Sequence, residues 1–300
     1  MQNKTGAYIA ALLVAVIYGV NYTIAKEVMP THIKPYGFIV LRVLGATLLF
    51  WLVSLFTAKQ QIDKADFPRI ILAAIFGVGI NMLAFFKGLS MTSPINASVI
   101  MVTSPILVLL LSAIILKERI TVIKVLGILI GLVGAIILIA YGKSVAPGDN
   151  PVLGNLLIFV NATSYGLYLI VVKKLTEKYS PLAFIKWLYL FGLLFVIPFG
   201  FTEVLEIQWQ SIPTSIYYNI GFVVVFTTFF AYLLNLIALT KLKPTTLSAF
   251  IYLQPVIATT YALSVQKDSL NLVKIAAALL IFAGVYLVTK SNSKGVANKE

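Results

Sequence analysis

Two stretches of the sequence, 150 residues apart, decide the fold. The first is TSPINASVIMVTSPILVLLLSAIILKERITVIKVLGILIGLVGAIILI (residues 92–139), and the second is LKPTTLSAFIYLQPVIATTYALSVQKDSLNLVKIAAALLIFAGVYLV (residues 242–288). A shift of 150 residues pairs Pro94 with Pro244, Ser98 with Ser248, Pro105 with Pro255, Lys117 with Lys267, Glu118 with Asp268, Lys124 with Lys274 and Gly134 with Gly284. Apolar helices often match by chance, but prolines and charges at one constant offset do not. The chain therefore consists of two related halves.

The remaining apolar segments have the length of membrane spans. The chain is 60% apolar and 11% charged, so it has too little polar surface to cover a soluble globule. About 20 apolar residues cross a bilayer as a helix. Charges, Pro and Gly divide the chain into spans near 6–26, 36–57, 68–88, 93–116, 121–141, 152–173, 182–202, 213–237, 244–266 and 271–290. We predict an all-α integral membrane protein of ten transmembrane helices, with repeats at residues 1–142 and 151–290 and a polar cytoplasmic tail at 291–300.

The basic residues indicate an orientation. The net charge of +13 is spread over short connections, which argues against nucleic acid. Alternate connections hold 16 and 6 Lys and Arg, and the richer set is expected in the cytoplasm. Both termini are therefore predicted to be cytoplasmic. Five spans per half make the two repeats inverted, with a central cavity between them, an arrangement that suits alternating access.

Several chemistries find no support in the sequence. There is no Cys and only one His, His32, so no metal site or cofactor is predicted. The HExxH and GxSxG motifs of hydrolases and the GxxxxGK[ST] loop of ATPases are missing as well. We predict that the chain is not an enzyme. The carboxylates fall in or beside the connections, which favours facilitated diffusion or exchange over a proton relay.

Several segments resemble the drug/metabolite transporter superfamily, and specifically its EamA-like ten-helix branch. They are YGVNYTIAK (Tyr18–Lys26), LRVLGATLLF (Leu41–Phe50), TSPILVLLLSAIILKERIT (Thr103–Thr121), GILIGLVGAIIL (Gly127–Leu138), LQPVIATTYALSVQKDSL (Leu253–Leu270) and AGVYLV (Ala283–Val288). The resemblance implies a multi-pass protein of the bacterial cytoplasmic (inner) membrane, with a cavity lined by both halves. It also implies export of amino acids or related metabolites.

The resulting prediction is a secondary transporter for small polar metabolites, most of all amino acids, that works by alternating access. The alternatives are a nucleotide-sugar or lipid carrier and a channel-like facilitator. The partners are the substrate and membrane lipid, and the protein is a monomer or a homodimer. Gly127 and Gly131 form a GxxxG pair that serves either packing within the chain or a dimer.

Polar and aromatic residues at helical spacing mark candidate cavity faces. The substrate-binding candidates are Tyr18, Asn21, Tyr22, Arg42, Asn81, Phe85, Met101, Ser104, Asn161, Tyr165, Tyr168, Tyr232, Asn235, Ile251 and Gln254, and the gating or kink candidates are Pro105 and Pro255. Structural roles are the alternative for some of them. Arg42 serves either an anionic substrate group or the structure, Asn81 an interhelical hydrogen bond, and Tyr22 and Tyr168 an interfacial belt.

Overall fold

A computed structural model describes residues 4–29, 31–57, 60–91, 97, 100–140, 150–264 and 272–297. Pro94, Ser98, Lys267 and Asp268 of the sequence repeat, and the side chain of the candidate Tyr22, lie outside what is described. Regular structure in these ranges is helical throughout, without a β-strand. The prediction of an all-α fold is confirmed.

Ten helices of at least eight residues run through the described ranges. They are α1 (Thr5–Val28), α2 (Pro35–Ser54), α3 (Lys64–Met91), α4 (Ser104–Ile115), α5 (Val122–Ala140), α6 (Pro151–Lys178), α7 (Pro181–Leu205), α8 (Thr214–Lys241), α9 (residues 244–264) and α10 (Leu272–Ala297). Among the described residues, α2, α3, α6, α7, α8 and α10 are long and apolar enough to cross a membrane, whereas α1, α4 and α5 contain shorter apolar helices. The number of ten spans stays a prediction.

Proline places the starts of several helices. Pro35, Pro151, Pro181 and Pro244 each occupy the first turn of their helix, where the missing N–H costs nothing because it would have no helical partner. At α6 the side chain of Asn150 also accepts a hydrogen bond from Leu153 N at 3.2 Å. The residues at these turns therefore determine where the helices begin.

The packing of the helices relates the two halves by a pseudo-two-fold operation. Helix α1 packs on α8 and α9, and its counterpart α6 packs on α3 and α4. Helix α2 packs on its counterpart α7, and α5 on its counterpart α10. Exchanging each helix in these pairs for its counterpart reproduces the same pairs. The halves thus enclose a space between them rather than forming two separate bundles.

Glycines bring the backbones of α5 and α10 into contact. A Cβ built on Gly284 would lie 2.6 Å from both Gly127 O and Gly131 N, and one on Gly134 would lie 2.8 Å from Ala277 O. Small residues allow this close approach between membrane helices. Of the two roles weighed for the GxxxG pair, the described contacts support packing within the chain.

Candidate substrate cavity

The backbones of α3 and α8 each contain a widened π-helical segment. The segments are Ile75–Gly79 and Val223–Phe230, at matching places in the two halves. Such widening releases backbone carbonyls from the helix and is frequent at functional sites. Phe76 O accepts a hydrogen bond from Ser164 Oγ at 2.7 Å, and Gly77 O accepts one from Tyr232 Oη at 3.0 Å. Both carbonyls thus fix side chains of neighbouring helices.

A cavity lies between the halves, next to these segments. Its space, counted together with the part that opens to solvent, is about 700 Å³. The structure brings together these sequence-predicted candidates along its wall: Tyr18, Asn21, Arg42, Asn81, Phe85, Met101, Asn161, Tyr165, Tyr232, Ile251 and Gln254. Both halves contribute, as the cavity prediction requires.

Three lining residues were missed by the sequence analysis, namely Met82, Phe86 and Thr227. Met82 and Phe86 carry no signal that separates them from ordinary apolar positions. A spacing of 3.6 residues per turn does not place Thr227 on the helix face of Tyr232. The widened segment rotates the helix face, so that Thr227 shares the cavity with Tyr232.

Other predicted residues lie outside the cavity lining. Ser104, Tyr168 and Asn235 are buried, with at most 1% of each exposed. Pro105 is in the first turn of α4, just after a break in the helix at residues 102–103. Pro255 likewise follows a short 3-10 turn, Phe250–Tyr252, within α9. The prolines thus accompany interruptions at matching places in the fourth and ninth helices.

Arg42 is a buried cation in the cavity wall, only 4% exposed. Its Nε donates to Thr228 Oγ1 at 3.0 Å, and its guanidinium carbon lies 5.1 Å from the centroid of the Phe86 ring. The ion pairs within the described residues do not include Arg42. A guanidinium has five N–H donors, so among the described residues most of its donor capacity is open to a ligand.

Asparagines join the cavity helices across the two halves. Asn161 Nδ2 donates to Asn81 O at 2.7 Å, and Asn81 Nδ2 donates to Asn161 O at 3.3 Å. Thr227 Oγ1 donates to Asn21 Oδ1 at 3.0 Å. Asn81 therefore both forms an interhelical hydrogen bond and lines the cavity. Within the described chain, Asn161 Oδ1 is buried without a partner, so the cavity helices hold one unsatisfied acceptor.

Aromatic rings form much of the remaining wall. Phe85 and Phe86 pack edge to face with centroids 5.2 Å apart, and Tyr232 packs edge to face on Tyr189 at 5.4 Å. Among the described lining residues, Arg42 is the one formal charge, and no Asp, Glu or His is present. The cavity can bind a small molecule by an anionic group, a few hydrogen bonds and an apolar body.

An all-helical membrane protein with a cavity between two pseudo-symmetric halves has the architecture of a solute transporter. The sequence model of the EamA-like transporter family matches residues 5–140 and 152–290. The chain belongs to this family, and the resemblance found in the sequence is confirmed. It is therefore a multi-pass membrane transporter.

Named relatives agree with this class. The chain is 27% identical over 283 residues to an uncharacterized transporter of Archaeoglobus fulgidus, covering 94% of this chain and 98% of the relative. It is 26% identical over 302 residues to the uncharacterized transporter YyaM of Bacillus subtilis, covering 96% of each. A solved structure described only as a crystal structure of a protein shares the fold, with a TM-score of 0.78, 16% identity and coverage of 97% and 99%.

Proposed function

We propose that the protein is a secondary transporter that exports small polar metabolites, with amino acids and related compounds as its substrates, across a bacterial cytoplasmic membrane. The observation that carries the proposal is the cavity between the halves, where the guanidinium of Arg42 and the unpaired Asn161 Oδ1 lie among aromatic rings. A cation, an acceptor and an apolar wall suit a molecule with a carboxylate, an amine and a side chain.

Alternating access is the mechanism that the pseudo-symmetric packing supports. Two related halves around one site can exchange conformations and expose the site to each side in turn. Within the described wall, Arg42 is the one cation, so the phosphates of a nucleotide sugar would find a single partner. This composition favours a small substrate over the nucleotide-sugar alternative.

The acidic residues bear on how transport is energised. No carboxylate lies in the described cavity lining. The side chain of Glu118 is 6% exposed, and it forms an ion pair with Lys124 outside the cavity. Because a proton-coupled carrier usually holds a titratable group on its pathway, we propose transport by facilitated diffusion or exchange.

The test is uptake into proteoliposomes of a panel of labelled amino acids, dicarboxylates, sugar phosphates and nucleotide sugars. We expect at least one amino acid or related compound to enter faster than into protein-free liposomes, without a strict need for a pH gradient. Asn21→Ala should slow it by about tenfold, since a lost hydrogen bond costs about 1 kcal/mol or more. The matched control is Asn219→Ala, because Asn219 binds Glu27 Oε2 at 2.8 Å away from the cavity.

Two results would overturn this proposal. One is a panel without any transported compound when the protein is correctly folded. The other is uptake at the wild-type rate by Asn21→Ala, which would remove the cavity from the pathway. Uptake that requires a pH gradient would overturn the energetic part alone.

A further inference from the structure

A layer of buried polar side chains lies one helical turn beyond the cavity. On α6 and α8 its members come three residues after a cavity residue, and on α9, which runs the opposite way, its member comes three residues before Ile251. At the start of α4 its member comes three residues after Met101, across the break at residues 102–103. This polar layer consists of Ser104, Tyr168, Asn235 and Ser248, each at most 1% exposed. The spacing along the chain thus assigns the polar groups of four helices to one side of the cavity.

Most of the polar layer lacks hydrogen-bond partners. Ser104 Oγ, Tyr168 Oη and both amide atoms of Asn235 are buried and unpaired within the described chain. Ser248 Oγ is satisfied locally by Thr245 O at 3.2 Å. Buried polar groups in proteins are nearly always paired, because leaving one unpaired costs its full desolvation free energy. Residues whose only role is packing would be apolar or would have hydrogen-bond partners.

The four helices that carry the polar layer form a closed ring of contacts. Helix α4 packs on α6, α6 on α8, α8 on α9, and α9 on α4. The rings of Tyr168 and Tyr232 lie 6.0 Å apart, which connects the layer directly to the cavity wall. Tyr168 of the layer therefore adjoins the cavity wall, and the helices of the layer come from both halves.

An ionic cluster with a buried Lys124 and a half-exposed Lys243 lies at the end of the ring, beyond the polar layer. Lys124, 2% exposed, donates hydrogen bonds to the Glu118 carboxylate and to Thr245 Oγ1, the latter at 3.1 Å. The Thr245 hydroxyl in turn donates to Glu118 Oε1 at 2.7 Å, and Lys243 Nζ lies 3.9 Å from the same oxygen. We call these four residues the latch. It ties the α4–α5 connection of the first half to the start of α9 in the second half.

We propose that the polar layer is the closed half of the translocation pathway: when the latch separates, the layer becomes hydrated and hydrogen-bonds the substrate as it passes between the cavity and the α4–α5 end. The inference rests on the proposed function. In the closed conformation the latch stabilises the ring, while the unpaired groups of the layer destabilise it. These opposing contributions keep the two conformations close in free energy, as population shift by a small solute requires.

The chain has no native cysteine, so the test uses single cysteines. Ser104→Cys and Asn235→Cys report on the polar layer. Ala135→Cys is the control, because Ala135 is equally buried but lies on α5, which packs on α10. Each variant, in membrane vesicles of known orientation, is treated from the α4–α5 face with a small, charged, membrane-impermeant methanethiosulfonate.

The latch is then weakened by Glu118→Gln or, more gently, by Thr245→Val. We expect labelling of Ser104→Cys and Asn235→Cys to become at least about tenfold faster, because a broken buried ion pair shifts the equilibrium towards the open state. Ala135→Cys should stay unreactive. The second latch variant keeps the test decisive if Glu118→Gln does not fold.

Several outcomes would overturn the inference. Layer cysteines that stay unreactive in both latch variants, while the protein still takes up a compound from the panel, would refute it and leave the proposed function intact. Equal acceleration at Ala135→Cys would show general loosening and would also refute it. Labelling of the layer without uptake of any panel compound would instead overturn the proposed function and support the opening of the layer.

Discussion

Replacing Gly284 by alanine should destabilise the protein, although alanine is the better helix former. The new Cβ would lie 2.6 Å from Gly127 O and 2.6 Å from Gly131 N, and both neighbours are backbone atoms that cannot rotate away. Ordinary contacts between non-bonded carbons are near 3.5 Å, so α5 and α10 must separate by almost 1 Å. Overpacking of this kind costs about 1–3 kcal/mol.

Two effects oppose each other in this variant. Alanine improves helix propensity by about 1 kcal/mol relative to glycine, which partly offsets the clash. Gly221→Ala is the matched control, since nothing lies within 4 Å of a Cβ built there. The control should gain the helix propensity without the clash, so the two variants are expected to move in opposite directions.

The assay is the apparent melting temperature of the detergent-solubilised protein, followed by intrinsic tryptophan fluorescence. A change of 1 kcal/mol corresponds to roughly 2–4 °C for a large domain. We expect Gly284→Ala to melt a few degrees below Gly221→Ala and below the wild type. A Gly284→Ala protein at least as stable as the control would refute the close approach of α5 and α10.

Two further predictions concern charge. Arg42→Gln should reduce transport of a substrate with an anionic group by about 10- to 100-fold in proteoliposomes, since a charge-assisted hydrogen bond contributes about 1.5–3 kcal/mol. Lys186→Gln is the control, because Lys186 Nζ lies 5.0 Å from the Trp51 ring, outside the cavity. This variant should transport nearly as well as the wild type, and equal losses in both variants would contradict a role specific to Arg42. A hydrogen bond from Lys178 and its charge lower the pKa of Asp63 below its usual 3.8, so the pair stabilises the fold above that pH and the contribution is lost as the pH falls through the lowered pKa. The melting temperature of Lys178→Met should accordingly lie below that of the wild type at pH 7 and approach it in acid. A difference independent of pH would contradict the stabilising role of the Lys178–Asp63 pair.

The sequence predicted much of the cavity because its signals are local and periodic. Asn21, Arg42 and Asn161 stand out in apolar spans, since a polar group in a membrane helix needs a reason to be there. Tyr232 and Gln254 followed from helical spacing. Thr227 did not, because the π-helical segment changes the number of residues per turn.

The sequence by itself determined the all-helical membrane class, the two related halves and the starts of the helices at proline. These properties depend on hydrophobicity, on a repeat and on backbone chemistry within a few residues. Only the tertiary structure decided that Arg42 lies over Phe86, that Gly131 packs on α10, and that Ser104 and Asn235 lie beyond the cavity wall. The rotation of each helix about its axis decides such relations, and that rotation is set by packing between helices distant in sequence.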